Sequence, residues 1–171
     1  MMTKRQVINF LLPPVLFLLM LLDGHVSSIF RSWTGSSLMM FSNLLLLLIM
    51  FATFQVNKTY LVILTLVIGV LADSYYYNII GVYALLLPLL VLVIYGTFEH
   101  VIPTTFTIIL SFIVFLTLFE VGNAAMQMIF QLTQVNMLSF LTKVLGPTLS
   151  VNIIFVCCFV WPLKKVFNIK K

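Results

Sequence analysis

Three acidic side chains, Asp23, Asp73 and Glu120, fall within or beside long apolar runs. An Asp at the centre of a membrane helix costs about 2.5–3.5 kcal/mol on insertion scales, so each is a candidate for function by default. Acids at such positions serve proton or ion paths, hold a counter-ion, or bind a partner group. A relay needs further carboxylates or histidines deeper in the bundle, and the second, fourth and sixth apolar runs supply none. That weighs against a pump. The alternative with Arg31 and Lys143 as counter-ions is an acidic ring, provided the helices that carry Asp23, Asp73 and Glu120 pack near one another. The plain competing reading is that Asp23 ends its helix before Gly24 and that Asp73 ends a short helix before a turn.

Other chemistry has little to stand on. No HExxH, GxSxG or Walker loop occurs, and no Ser/His/Asp set. His25 and His100 are expected on opposite sides of the membrane, so they cannot share a metal. Cys157 and Cys158 are adjacent inside an apolar run, which suits small hydrophobes rather than a disulfide or a zinc site. No cofactor and no metal are expected.

The elements that must position the acids follow from composition. Of 171 residues, 63% are hydrophobic and 8% charged, with a mean hydropathy of +1.22, against roughly 25% charged in a soluble domain. Lipid must solvate most of such a chain, and at about 20 apolar residues per crossing there is no room for a soluble catalytic domain. The net charge of +5 sits at the ends of apolar runs, which is a signature of membrane orientation and not of nucleic-acid binding.

Spans are expected at Val7–Leu22, Leu38–Phe54, Tyr60–Ala72, Ile79–Tyr95, Thr104–Phe119 and Thr148–Leu163. Alternating loops put Lys4, Arg5, Lys58, Lys164, Lys165, Lys170 and Lys171 on one side, and Arg31 and Lys143 on the other. The positive-inside rule makes the first side cytoplasmic. Both termini are then cytoplasmic, and the fold class is an all-α integral membrane protein of six transmembrane helices in a single domain, residues 1–171. A cleaved signal at the N-terminus is disfavoured, because Pro13 and Pro14 interrupt its apolar core and membrane sequence follows throughout. At about 1.5 Å per residue, Asp23, Asp73 and Glu120 lie at similar depth, towards the outer boundary.

Two outer connections are longer than a turn. His25–Ser37 contains Trp33, and Gln127–Gly146 mixes Met137, Leu138 and Phe140 with polar residues; both suit the interface or a docked partner. Pro103 and Pro147 are expected at the first turns of their helices. The Pro13–Pro14 pair leaves carbonyls near Ile8 to Phe10 that need another donor. Gly69 and Asp73 are four apart and share a helical face, where glycine admits a close neighbouring backbone. Tyr75, Tyr76 and Tyr77 suit the interface, Asn78 is an acceptable N-cap, and Gly81 again permits close approach.

The stretch from Gly69 through Asp73, Tyr75, Tyr76, Tyr77 and Asn78 to Gly81, Tyr83 and Ala84 resembles the most recognisable part of the MreD family, in its tyrosine-rich Gram-positive form. There, a glycine, an acid, a small or aromatic turn and a second glycine join two apolar helices. The likeness is clearest over about 20 residues, and length, basic ends and the six-span plan agree with it. It implies a non-enzymatic component of the cell-elongation, peptidoglycan-synthesising machinery in the bacterial cytoplasmic membrane. The implied partners are an MreC-like bitopic protein and, with it, RodA, a class B penicillin-binding protein, MreB or other division and elongation proteins. Gly69, Asp73, Tyr76 and Gly81 would form the partner-binding or structural hairpin, followed by Arg31 and Trp33.

The family is also similar in fold to substrate-binding subunits of energy-coupling-factor transporters, which supplies the rival function, capture of a vitamin or metal. Against it, the first helix carries bulky Leu, Phe and Met with no Ala, and the N-terminal His motif of metal-type subunits is absent. A lipid-modifying enzyme would rest on Asp23, Asp73 and Arg31 alone.

Overall fold

In the computed structural model, which describes residues 4–34, 38–76, 80–131 and 136–167, the chain is helical, and the described residues contain no strand. Five helices are long and apolar enough to cross a membrane. Large apolar side chains face outward along them, Phe10 at 74%, Phe106 at 77% and Trp161 at 78% exposure among them. Only lipid or another membrane protein covers such a surface without cost.

α1 (Lys4–Trp33) spans 30 residues, about 45 Å at 1.5 Å per residue, and so exceeds the expected Val7–Leu22. Asp23 does not end it, and the expected outer loop from His25 is helical as far as Trp33. The serines are accommodated there because Ser27, Ser28 and Ser32 satisfy their hydroxyls by donating back to the carbonyls of Asp23, His25 and Ile29. The carbonyl need created by Pro13 is met: Asn9 O accepts from Tyr60 Oη at 2.9 Å.

The largest departure concerns the second span. Leu38–Phe54 is not one helix: residues 38–43 are non-helical, and α2 (Leu44–Ala52) has 9 residues, about 14 Å. Leu45 through Ala52 are all buried. A helix apolar on every side is stable only when surrounded, and α2 contacts α1, α4, α5 and α7. Residues 39–55 run beside α7 along its length. Met39 N donates to Lys143 O at one end, and Gln55 Nε2 bonds Phe167 O at the other.

α3 (Lys58–Tyr76) and α4 (Tyr83–His100) form a hairpin with the most extensive packing in the molecule. The expected cap at Asn78, the start at Ile79 and the side chain of Tyr77 lie outside the described residues. α5 (Thr105–Ile129) runs past the expected end at Phe119, so Glu120 is mid-helix and not near a terminus. Its N-cap Thr104 accepts from Thr107 N, and Pro103 sits just before that cap. α6 (Met137–Phe140) passes through a π turn, Leu141–Leu145, into α7 (Gly146–Val166), with Pro147 in its first turn. Much of the expected outer connection from Gln127 to Gly146 is therefore helical.

The two ends of the bundle differ. Tyr60 with Asn9, Tyr95 with Val56 and Lys164 with Thr105 join the end nearer the N-terminus. At the other end lie Trp33, Tyr76, Gly81, Phe130 and Lys143.

Candidate functional site

The non-helical residues 38–43 pose a problem that lipid cannot solve, because each unpaired backbone group in a dry interior costs several kcal/mol. Side chains from three helices solve it. From α7, Thr148 Oγ1 accepts from Phe41 N at 3.2 Å. Asn152 Oδ1 accepts from Asn43 N at 2.9 Å, while its Nδ2 donates to Phe41 O at 2.7 Å. From α1, Ser27 Oγ accepts from Ser42 N at 3.0 Å. Asp23 then takes the start of α2: Oδ1 accepts from Ser42 Oγ at 2.6 Å and Leu44 N at 3.0 Å, and Oδ2 from Leu45 N at 2.9 Å. From α5, Glu120 Oε1 accepts from Asn43 Nδ2 at 2.9 Å.

Asp73 performs the same task for α4. Its Oδ1 accepts from Tyr83 N at 2.7 Å, and its Oδ2 from Gly81 N at 2.8 Å and Ala84 N at 3.0 Å. Two of the three acids thus sit on the unpaired N–H groups at helix starts, where the positive end of the helix dipole favours a carboxylate. The neighbouring glycines make this possible. A Cβ on Gly69 would lie 2.7 Å from Ala84 Cα and from Tyr83 O, so α4 can approach Asp73 only across a glycine. Gly81 has φ +138, in the left-handed region that favours glycine. Tyr76 ties this hairpin to α1 by donating to Met20 O at 2.7 Å.

The expected ring of three acids therefore divides. Asp23 and Glu120 meet at successive residues, Ser42 and Asn43, whereas Asp73 turns to α4. Their bonded partners are backbone N–H groups and neutral side chains. Arg31 and Lys143 are not counter-ions to them; both are exposed. Trp33 is 84% exposed at the end of α1. Among the described residues no group of three potential metal ligands occurs.

Ser42, Asn43, Thr148 and Asn152 carry no charge, and charge alone does not mark them in the sequence. The signal was present, since uncharged polar residues inside apolar runs commonly bond across membrane helices. Beside this network, at the Trp33 end, lies a half-open cavity of about 560 Å³, walled by α1, residues 39–46, α4, α5 and Tyr76 of α3.

Two graded outcomes follow from the geometry. Glu120→Gln keeps an oxygen for Asn43 Nδ2 and is expected to complement a deletion strain fully. Glu120→Leu orphans that donor, at about 1–3 kcal/mol, and should lower the melting temperature in detergent. Gly69→Ala forces a methyl against backbone, an overpacking cost of roughly 1–3 kcal/mol; thermal denaturation should show a clear loss. Gly24→Ala meets a side chain rather than backbone, the ring and hydroxyl of Tyr76, and should lose less, the ring moving aside at the expense of its bond to Met20 O.

The chain matches the family model described as rod shape-determining protein MreD over residues 4–170. It is 28% identical over 169 residues to the cell shape-determining protein MreD of Streptococcus pneumoniae, which covers 96% of this chain and 97% of that relative. No solved structure matches significantly.

Proposed function

The chain belongs to the MreD family of rod shape-determining proteins, and from that premise we propose that it is a non-enzymatic component of the cell-elongation machinery, supporting shape by binding an MreC-like bitopic partner. The match across residues 4–170 carries this reading. RodA, a class B penicillin-binding protein and MreB belong to the same assembly in the proposal.

The proposal includes six membrane crossings with both termini cytoplasmic, and a likeness to the substrate-binding subunits of energy-coupling-factor transporters. In support of the crossings, residues 39–55 run the length of α7 even though only α2 is helical. The helical stretch they flank, from Lys143 to Phe167, is about 36 Å long at about 1.5 Å per residue, more than the roughly 30 Å of a bilayer core. Lys58, Lys164 and Lys165 gather at the N-terminal end, as positive-inside orientation requires.

Gly69, Asp73 and Gly81 are buried, so their part in partner binding is indirect: they set the α3–α4 hairpin whose outer faces meet lipid or a partner helix. Ile63, Leu66 and Leu71 on α3 and Leu85 and Leu89 on α4 offer such a face. The absence of carboxylates free to act on a substrate among Asp23, Asp73 and Glu120, all bonded to the protein's own N–H groups or Asn43, supports a role without catalysis.

The test is purification of the tagged protein from its native membrane in mild detergent, under stringent salt, with bound proteins identified by mass spectrometry. An MreC-like protein, with or without RodA and a penicillin-binding protein, is the expected result. Recovery instead of a transmembrane coupling subunit with paired ATPases would overturn the reading in favour of nutrient transport.

A further inference from the structure

The cavity at the Trp33 end is graded from rim to floor. Arg31 and Ser28 lie toward the free end of α1, and Gln127 toward the end of α5. Leu45, Leu46, Leu87 and Phe119 lie deeper. Arg31 is eight residues beyond Asp23, about 12 Å along the helix, and Phe119 is equally far below Gln127. Polar groups midway down are already engaged: Asp23 holds the start of α2, Ser27 bonds Ser42 N, and Tyr76 bonds Met20 O. Besides Asp23, the charged residue of the lining is Arg31, which is exposed and whose guanidinium is bonded to no acceptor among the described residues.

We propose that this cavity holds one amphiphile with an anionic head and an apolar body, its phosphate or carboxylate on Arg31 beside Ser28 and its body on the leucine and phenylalanine floor. A planar guanidinium pairs with either anion through two parallel hydrogen bonds. The volume of about 560 Å³ falls within the roughly 300–1,000 Å³ usual for small-molecule sites. Two sources share this chemistry, an anionic phospholipid that inserts one acyl chain and a free amphiphilic acid. The site goes beyond the shape-supporting role and does not depend on it, because binding is read on the isolated chain.

Native mass spectrometry of the full chain in detergent tests the proposal, with phosphatidylglycerol, phosphatidylcholine and dodecyl phosphate as probes. The expected result is one adduct per chain with phosphatidylglycerol or dodecyl phosphate, weakened at least tenfold by Arg31→Gln and abolished by Ser28→Phe. Both substitutions are at exposed positions, so unliganded melting temperatures should match the parent and report intact folding. Retention of phosphatidylglycerol alone assigns the site to lipid, and of dodecyl phosphate alone to a free acid. Absence of any adduct, equal retention of phosphatidylcholine, or a preference that survives Arg31→Gln would overturn the proposal.

Discussion

Asp73→Leu is expected to leave almost no folded protein in the membrane, whereas Asp73→Asn should fold with a lowered melting temperature. Three backbone N–H groups, those of Gly81, Tyr83 and Ala84, end on the Asp73 carboxylate, and the side chain is fully buried. Leucine fills similar space and accepts nothing. At about 1–3 kcal/mol per orphaned donor, the loss totals several kcal/mol, comparable with the roughly 5–15 kcal/mol that holds a whole domain together. Asparagine keeps one oxygen, which can stay where Oδ2 takes Gly81 and Ala84, but its amide NH₂ then faces Tyr83 N–H. One orphaned donor costs about 1–3 kcal/mol. Size-exclusion of a fluorescent fusion measures the folded yield, and thermal denaturation ranks the variants. Wild-type behaviour of Asp73→Leu would mean that water reaches these donors.

This hairpin was legible in the sequence because its parts are neighbours. Gly69 and Asp73 share a face by helical period, and Gly81 follows a turn later, so spacing alone announced a close-packed pair. The need created by Pro13 was legible too, although nothing local could name Tyr60, 51 residues away from Asn9. The break in the second span was not legible. Ser42 and Asn43 interrupt the run from Leu38 to Phe54, but two polar residues in an apolar run do not by themselves say that the backbone leaves the helix there. What decides its conformation is distant: Asn43 N finds Asn152 at a separation of 109 residues, and Leu44 N finds Asp23 at 21. Asp23 was singled out for its charge, and its task, the start of another helix, depended on a fold that one sequence does not display. The helical serines after Asp23 likewise read as a loop by composition, while in the fold their hydroxyls are satisfied by preceding carbonyls of α1.

The second large effect separates the two places where an acid meets a helix start. Asn152→Leu should loosen residues 39–47 while the α3–α4 hairpin stays formed. Asn152 is fully buried; its amide serves both Asn43 N and Phe41 O, with a third bond to Thr148 O. Leucine orphans the Asn43 N–H, at about 1–3 kcal/mol, and leaves Phe41 O with only the long 3.5 Å bond from Asn43 Nδ2. Those groups regain partners only if water enters from the neighbouring cavity, which Phe41, Ser42 and Asn43 already line. Hydrogen exchange measured by mass spectrometry reads this directly: the amides of 39–47 should exchange at least tenfold faster, and those of 83–90 at the parent rate. Asn152→Asp keeps an oxygen for Asn43 N but loses the donor to Phe41 O, so its exchange should lie between. Uniform acceleration across both regions would instead make α2 and the hairpin one cooperative unit, with Asn152 supporting the whole bundle rather than the non-helical segment before α2.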